Sequence, residues 1–388
     1  MTTIPSAGLR ELFLLQPDVI FLNHGSFGAC PRPVFEAYQA RQLELERQPV
    51  KFFQRLPDLL AEARAVLGPF VGAHPDDIAF VTNATLGVNV VARSLKLEPG
   101  DEVLTTNHEY GSCNKAWQYC CECTGARYVV QDVPLPVTSI EQVVETIWAG
   151  VTERTRVLYL SHVTSPTALT LPIEPLIRRA RGAGIITVID GAHAPGQRDL
   201  DLETLGVDFY TGNCHKWLNA PKGAGFLYAQ REMQHLVQPL IVGGAWRNNG
   251  SNGSHFTAEQ ESLGTRDAAA FLAVPEAIRF HREHNWPAVR TECHELVRYF
   301  RDAITRLTGL EPICPDSPRW FVQMATVPLP KCDPVELGNR AFREFGVEVP
   351  FLTWEDRQYL RISVQGYNTR QDVGMLICAL TELLERAV

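Results

Sequence analysis

The stretch Ile185-Ile186-Thr187-Val188-Ile189-Asp190-Gly191-Ala192-His193-Ala194-Pro195-Gly196 decides the fold. It is a nearly continuous apolar run that ends in one carboxylate and then breaks into a turn of small residues. A strand apolar on both faces fits a sheet covered by helices on both sides. Just before it, residues 175–184 carry Arg178, Arg179 and Arg181 on a face suited to solvent, and Gly182 and Gly184 supply a helix stop. Residues 156–161 form a second continuous apolar run. Further out, strands are expected at 78–81, 101–106, 127–131, 207–210 and 225–228, with a helix over 111–124. Strand alternating with helix implies a mainly parallel sheet. Ligands collect at the carboxyl ends of such strands, so Asp190 is well placed to face a ligand cation.

The pattern changes from about Asp267. Long amphipathic helices are expected over 267–285 and 287–309. A strand at 321–327, a helix at 334–345, strands at 347–351 and 359–364, and a last helix at 369–386 follow. The expected fold class is α/β: a large domain whose mainly parallel sheet is sandwiched by helices, plus a smaller α+β C-terminal domain. The expected divisions are an N-terminal arm with helices at 1–70, packed with the small domain, a large ligand-binding domain at 71–266 and a small domain at 267–388. A chain of 388 residues is long enough for two cores.

A second motif stands beyond Asp190. The run Tyr210-Thr211-Gly212-Asn213-Cys214-His215-Lys216-Trp217 puts a lysine 26 positions after that carboxylate, just past another strand. A lysine there, beside His, Asn and Thr, suits imine formation and phosphate binding. Alone, an Asp at a strand end reads as a cap or turn former, and a Lys as a solvated charge. Together, in this order, they make a ligand site.

Composition excludes other classes. The apolar share of 45% and charged share of 21% are ordinary for a globular protein, and the net charge of −8 disfavours nucleic acid or an anionic membrane surface as partner. No apolar run of about 18 residues is present, so no spanning helix is expected. Residues 1–10 lack a signal-peptide pattern, and a cytoplasmic location is expected. The ten cysteines are scattered. Cys120 and Cys123 have CxxC spacing with no second pair, so buried thiols rather than a metal site are expected.

The stretches Ile189-Asp190-Gly191-Ala192-His193 and Gly212-Asn213-Cys214-His215-Lys216-Trp217 resemble class V aminotransferase-fold enzymes, fold type I proteins that use pyridoxal 5'-phosphate (PLP). Nearly the whole chain shares the likeness. Phe21-Leu22-Asn23-His24-Gly25-Ser26-Phe27-Gly28, Thr82-Asn83-Ala84-Thr85, Ser161-His162-Val163-Thr164-Ser165-Pro166-Thr167 and Val347-Glu348-Val349-Pro350 resemble the isopenicillin N epimerase-like branch.

The resemblance implies roles. Lys216 would hold PLP covalently and then carry the Cα proton. Asp190 would pair with the ring nitrogen, and His193 would sit near the 3-hydroxyl. The phosphate would take the N–H groups of Ala84 and Thr85 at a helix start, with the Thr85 hydroxyl, Asn213, His215 and Asn83 beside them. Tyr110 would stack on the ring, with His108 the alternative. Thr164 and Ser165 would lie near the ring or the substrate. Arg361 would clamp the carboxylate of an amino-acid-like substrate, helped by Asn23, Gly25 and Ser26. A homodimer with shared active sites is implied, with Thr265 reaching the neighbour's phosphate and Trp246 and Arg247 lining it. Phe27, Phe52, Phe53, Trp246 and Trp354 could shape the side-chain pocket.

The likeness leaves the reaction open. Desulfurases of this kind need a mobile Cys shortly before the substrate Arg. Residues 346–361 contain none, and Cys332 lies too far upstream. Epimerisation or racemisation needs a second acid or base, for which His24 and Tyr110 are candidates. β-Elimination as a C–S lyase, of the ergothioneine-pathway type, needs a leaving group on Cβ. Transamination is permitted by the fold. A PLP-fold binding protein without activity would lack the Lys or the Asp, and both are present.

Overall fold

The structure is a computed structural model that describes residues 8–247 and 254–385. Residues 1–7, part of the stretch read for a leader, and Arg386, the expected end of the last helix, lie outside the described residues.

In chain order the strands are β1 (Ile20–Phe21), β2 (Ile78–Val81), β3 (Glu102–Thr106), β4 (Arg127–Gln131), β5 (Thr155–Ser161), β6 (Ile186–Gly191), β7 (Phe209–Asn213), β8 (Gly225–Ala229), β9 (Met324–Pro328), β10 (Val347–Glu348), β11 (Phe351–Trp354) and β12 (Arg357–Ser363). Seven of them make one sheet in the order β2-β8-β7-β6-β5-β3-β4. Within it β4, β3, β5, β6 and β7 run parallel, and β8 runs antiparallel to both β7 and β2. The expected mainly parallel α/β sheet is therefore present. Its central strands are buried on both faces, as their unbroken apolar sequences require. One apolar core lies on the face that carries Leu158, Ile189 and Tyr210. A second lies on the face of Tyr159, Val188 and Phe209.

The C-terminal strands form a second sheet, β11-β12-β9, and β1 pairs with β10. The strand expected at 347–351 is split. Pro350 has no N–H to continue a ladder, so the chain leaves β10 and re-enters as β11 in another sheet. The helix expected at 267–285 also divides, into Ala269–Leu272 and Val274–Glu283, with Pro275 at the start of the second piece. A helix at Ile140–Trp148, outside the sequence expectations, starts on a Ser139 cap that accepts from Gln142 N–H.

Two glycines place the loops. Gly28 has φ 73°, and a Cβ there would fall 2.0 Å from the His215 carbonyl oxygen. Gly196 has φ 87°, and its Cβ would meet the Trp217 carbonyl at 2.4 Å. Only glycine lets the N-terminal segment and the turn after β6 press on the lysine loop. Among the described residues no helix is long and apolar enough to cross a membrane.

Candidate functional site

The carboxyl ends of β5, β6 and β7 open into a cavity of about 330 Å³. Thr82, Asn83, Ala84 and Thr85, which follow β2, line it, as do Ser161, Asp190, Ala192, His193, Asn213, His215 and Lys216. Ser26, Phe27, Tyr110, Val163, Ser165 and Gly223 complete the lining. Residues spread over two hundred positions thus meet at one edge of the sheet.

Asp190 is the penultimate residue of β6 and is buried. Its Oδ1 accepts from Ala192 N–H at 2.9 Å, and its Oδ2 accepts from the Cys113 thiol and the Tyr159 hydroxyl, each at 3.4 Å. Burial raises its pKa, and these donors together with Lys216 oppose the rise.

The amine of Lys216 lies 3.1 Å from His193 Nε2. On its other side His193 Nδ1 accepts from Trp217 Nε1 at 3.2 Å. A neutral imidazole that accepts at Nδ1 carries its proton on Nε2, so His193 donates to the lysine amine. Charge logic agrees. Burial, then nearby Lys216 and Arg361, hold the His193 pKa far below its usual value. Burial of the amine, then Arg361, pushes the Lys216 pKa down to about 7. A lysine with a substantial neutral fraction near pH 7 is a nucleophile and a proton carrier.

The loop after β2 forms a helix start. Asn83 caps the helix Ala84–Ser94 by accepting Leu86 N–H at 2.9 Å. Ala84 N–H already donates to Asn213 Oδ1 at 2.8 Å. That bond ties the loop to β7 and removes Ala84 from the free donors, leaving Thr85 as the expected backbone donor to an anion. His215 Nδ1 donates to the Ala224 carbonyl at 3.0 Å, and burial, then Lys216, pushes its pKa down to about 4. Its Nε2 is the nitrogen left for a ligand.

Arg361 lies on β12 and is buried at the cavity's edge. Its Nη1 donates to the Ser165 carbonyl at 2.7 Å, its Nη2 to Ser26 Oγ at 3.1 Å, and Ser26 Oγ in turn donates to Asn23 Oδ1. Its Nε has no hydrogen-bond partner among the described residues. Ser26 and Ser165 line the cavity while Arg361, Asn23 and Gly25 stand just behind them. Gly25 has no room for a side chain: a Cβ would lie 2.7 Å from Met324 Sδ and 2.8 Å from Ser363 Oγ.

Other expected residues fall elsewhere. Tyr110 lines the cavity and is 45% exposed. His108 is turned away: its Nδ1 meets Thr167 Oγ1 at 2.8 Å, its Nε2 the Val133 carbonyl at 2.7 Å, and its ring packs on Trp354. Thr164 is spent on a turn, bonded to Thr167 and Leu169, and Ser165 faces the cavity in its place. His24 is fully buried outside the cavity. Its Nε2 donates to the Lys216 carbonyl at 3.0 Å and its Nδ1 accepts from the Tyr367 hydroxyl at 3.0 Å. Burial pushes its pKa down to about 3, which suits a structural link and not a proton donor. Thr265 is exposed and, like Trp246 and Arg247, does not line the cavity of its own chain. Phe52 is buried against Phe53, so Phe27 alone of the expected pocket aromatics lines the cavity. Cys120 and Cys121 are buried in the core, and Cys123 is exposed.

Three residues join the site that the sequence did not single out. Cys113 and Tyr159 hold Asp190. Glu109 is buried between Thr106 and Ser161, and burial pushes its pKa up to about 7. Adjacency to Tyr110 was the only signal for Glu109. Cys113 lies three positions after Tyr110 on the same helix, and Tyr159 alternates with Ser161 on β5.

The arrangement can hold a flat ligand whose cationic atom meets Asp190 and whose anionic end meets the Asn83–Thr85 helix start. It also offers a neutral amine for covalent capture. The aminotransferase class V family model matches residues 30–376. An isopenicillin N epimerase of Amycolatopsis lactamdurans is 38% identical over 97% of this chain and 98% of its own. A probable chloroplastic L-cysteine desulfhydrase of Arabidopsis thaliana is 29% identical over 95% of this chain and 83% of its own. Among solved structures, a cysteine desulfurase of Escherichia coli superposes with a TM-score of 0.84 over all of both chains at 23% identity.

Proposed function

The chain belongs to the class V aminotransferase family, and from that premise we propose that it epimerises or racemises the Cα centre of an amino-acid-like substrate. The family makes it an enzyme with pyridoxal phosphate as cofactor. The cavity fits that group: a buried carboxylate, a lysine amine of lowered pKa and a capped helix start face one space of about 330 Å³. When bound, pyridoxal phosphate supplies an electron sink that makes the Cα proton of an attached amino acid acidic.

The chain's own residues do the rest. In this reading Asp190 holds the ring nitrogen, and Thr85, Asn213 and His215 hold the phosphate. Lys216 captures the cofactor and then moves the Cα proton, while His193 orients its amine. Arg361, with Ser26 and Ser165, fixes the substrate carboxylate. Tyr110 is the second acid or base, since it lines the same cavity and His24 does not. The observation that carries the epimerase reading is the 38% identity across 97% of this chain, together with those groups at the cavity.

The desulfhydrase relative at 29% identity favours a second reading, β-elimination with C–S cleavage, in which Tyr110 protonates the leaving group. Turnover of an amino-acid panel in D₂O, followed by NMR, separates the two. Epimerisation gives Cα deuteration with inversion. Elimination gives a 2-oxo acid and ammonia. A panel that yields only keto acid and aminated cofactor points to transamination and rejects both.

The same proposal includes a homodimer. Phe27, Ile241, Val242 and Trp246 are large apolar side chains left exposed, and Thr265 is exposed too. Burial of that surface by a second copy would bring Thr265 to the neighbour's cofactor phosphate. The ten unpaired thiols suit a reducing compartment, and so a cytoplasmic enzyme.

A further inference from the structure

Asp190 must stay charged while fully buried, and the residues that surround it are chosen for that. A buried carboxylate is driven toward its neutral acid, and a neutral acid cannot hold a cationic ring nitrogen. A nearby cation such as Lys216 helps to keep it ionised but offsets part of the charge that the ring needs. The structure adds a second support. Among the described residues, each hydrogen bond to Asp190 comes from a neutral donor: Ala192 N–H to Oδ1, and the Cys113 thiol and Tyr159 hydroxyl to Oδ2. Neutral donors stabilise the anion without neutralising it.

Cys113 and Tyr159 stand behind Asp190. Both are fully buried, and neither lines the cavity that Asp190 faces. They come from different elements, Cys113 from the helix Gly111–Thr124 and Tyr159 from β5. Burial raises the pKa of both groups far above any working pH, so both remain donors. Ala192 N–H alone fixes only one oxygen. The pair on Oδ2 fixes the rotation of the carboxylate and with it the lone pair that points into the cavity.

We propose that Cys113 and Tyr159 are positioning residues that hold Asp190 as a correctly rotated, uncompensated carboxylate for the cofactor's ring nitrogen. The proposal rests on the reading of Asp190 as that nitrogen's partner. It assigns a role in the PLP site to a buried thiol that touches neither cofactor nor substrate.

The test uses the PLP-loaded protein and five variants: Cys113→Val, Cys113→Ser, Tyr159→Phe, the double variant Cys113→Val with Tyr159→Phe, and Asp190→Asn. The readouts are the pH midpoint of the cofactor's visible absorbance, PLP affinity of the apoprotein, and kcat against KM. Cys113→Val keeps an apolar side chain, one methyl branch larger, and loses the donor. It should shift the absorbance midpoint and lower kcat about threefold to tenfold, with KM within about twofold, because a thiol donor at 3.4 Å is weaker than a full charge-assisted hydrogen bond. Cys113→Ser keeps a donor and should return both to within about twofold of the parent. Tyr159→Phe should behave like Cys113→Val, and the double variant should lose more than the product of the two, because both act on one oxygen.

Serine and valine variants that behave alike would reduce Cys113 to packing and overturn its role. Native midpoints and kcat in both Cys113→Val and Tyr159→Phe would overturn the whole proposal. Should Cys113→Val fail to fold, Tyr159→Phe, which removes a single hydroxyl, decides the matter. Asp190→Asn separates the two levels. If it leaves the midpoint unmoved, the reading of Asp190 fails. If it moves the midpoint while the donor variants do not, only the present proposal fails.

Discussion

The two walls of the cavity are built differently. On the sheet side, Asp190, His193, Asn213 and Lys216 come from β6, β7 and the turns just after them, and each polar side chain is bonded to a neighbour. On the opposite rim, Ser26, Phe27, Tyr110, Ser165 and Arg361 come from four separate stretches. Phe27 is 71% exposed and Tyr110 45%, and one guanidinium nitrogen of Arg361 has no partner. The sheet wall has its hydrogen bonds completed inside the protein. The rim leaves apolar surface exposed and a buried guanidinium nitrogen unmatched among the described residues. Rigid support belongs where bonds are made and broken, and adaptable contact belongs where a substrate side chain enters.

Substitutions on each wall should break or sharpen that contrast. The largest effect is expected on the sheet side. Lys216→Ala should lower turnover by about a thousandfold or more, because it removes both covalent capture and the proton carrier. Borohydride treatment should fix the cofactor's mass on Lys216 of the parent and on no residue of the variant. A reducible adduct that persists in the variant would reject the assignment. Asp190→Asn should cost roughly a hundredfold in kcat while PLP still binds, as loss of a charge facing the reacting ring implies. Near-normal turnover would count against it.

The rim should read in KM. Arg361→Ala removes charge-assisted hydrogen bonds worth about 1.5–3 kcal/mol each, so KM for amino acids should rise roughly tenfold to a hundredfold with kcat changed far less. An unchanged KM rejects carboxylate clamping. Next comes pH. Covalent capture needs the neutral amine, and the Lys216 pKa is pushed down to about 7 by burial and by Arg361. A depressed lysine gains its neutral form as pH rises through that value. The rate of PLP capture by the apoprotein should therefore climb roughly tenfold between about pH 6 and 8 and then level off. A rate that keeps rising toward pH 10 would refute the depressed pKa. The smallest effect is expected at Phe27→Ala. PLP affinity should stay within about twofold, since a rim side chain at 71% exposure contributes little to cofactor binding, while substrate preference should change.

Legibility in the sequence followed the same division. Strands β2, β4 and β6 and the turns carrying Asp190 and Lys216 could be read, because an apolar run buried on both faces, with its flanking turn, is local information. The reversed direction of β8 could not, because nothing in Gly225–Ala229 distinguishes a parallel from an antiparallel neighbour. Pro350 and Pro275 divided elements that apolar periodicity had joined. Within the site, the resemblance motifs led to the residues that line the cavity. Cys113 and Tyr159 escaped because their role exists only where helix Gly111–Thr124 crosses the end of β6. His24 was read as an acid–base candidate from its motif, yet its partners, the Lys216 carbonyl and Tyr367, lie far away in the chain.

That histidine has a consequence for synthesis. His24 links the backbone of Lys216 to Tyr367, and Ser363 pairs with Asn23 beside it. A nascent chain on the ribosome can complete the seven-stranded sheet, with Asp190 and Lys216 in place, before residue 361 has been made. At that stage neither the His24 tether nor the bonds from Arg361 to Ser26 and Ser165 exist. The lysine loop gains its final support only when β12 and Tyr367 emerge, well after the sheet that carries it.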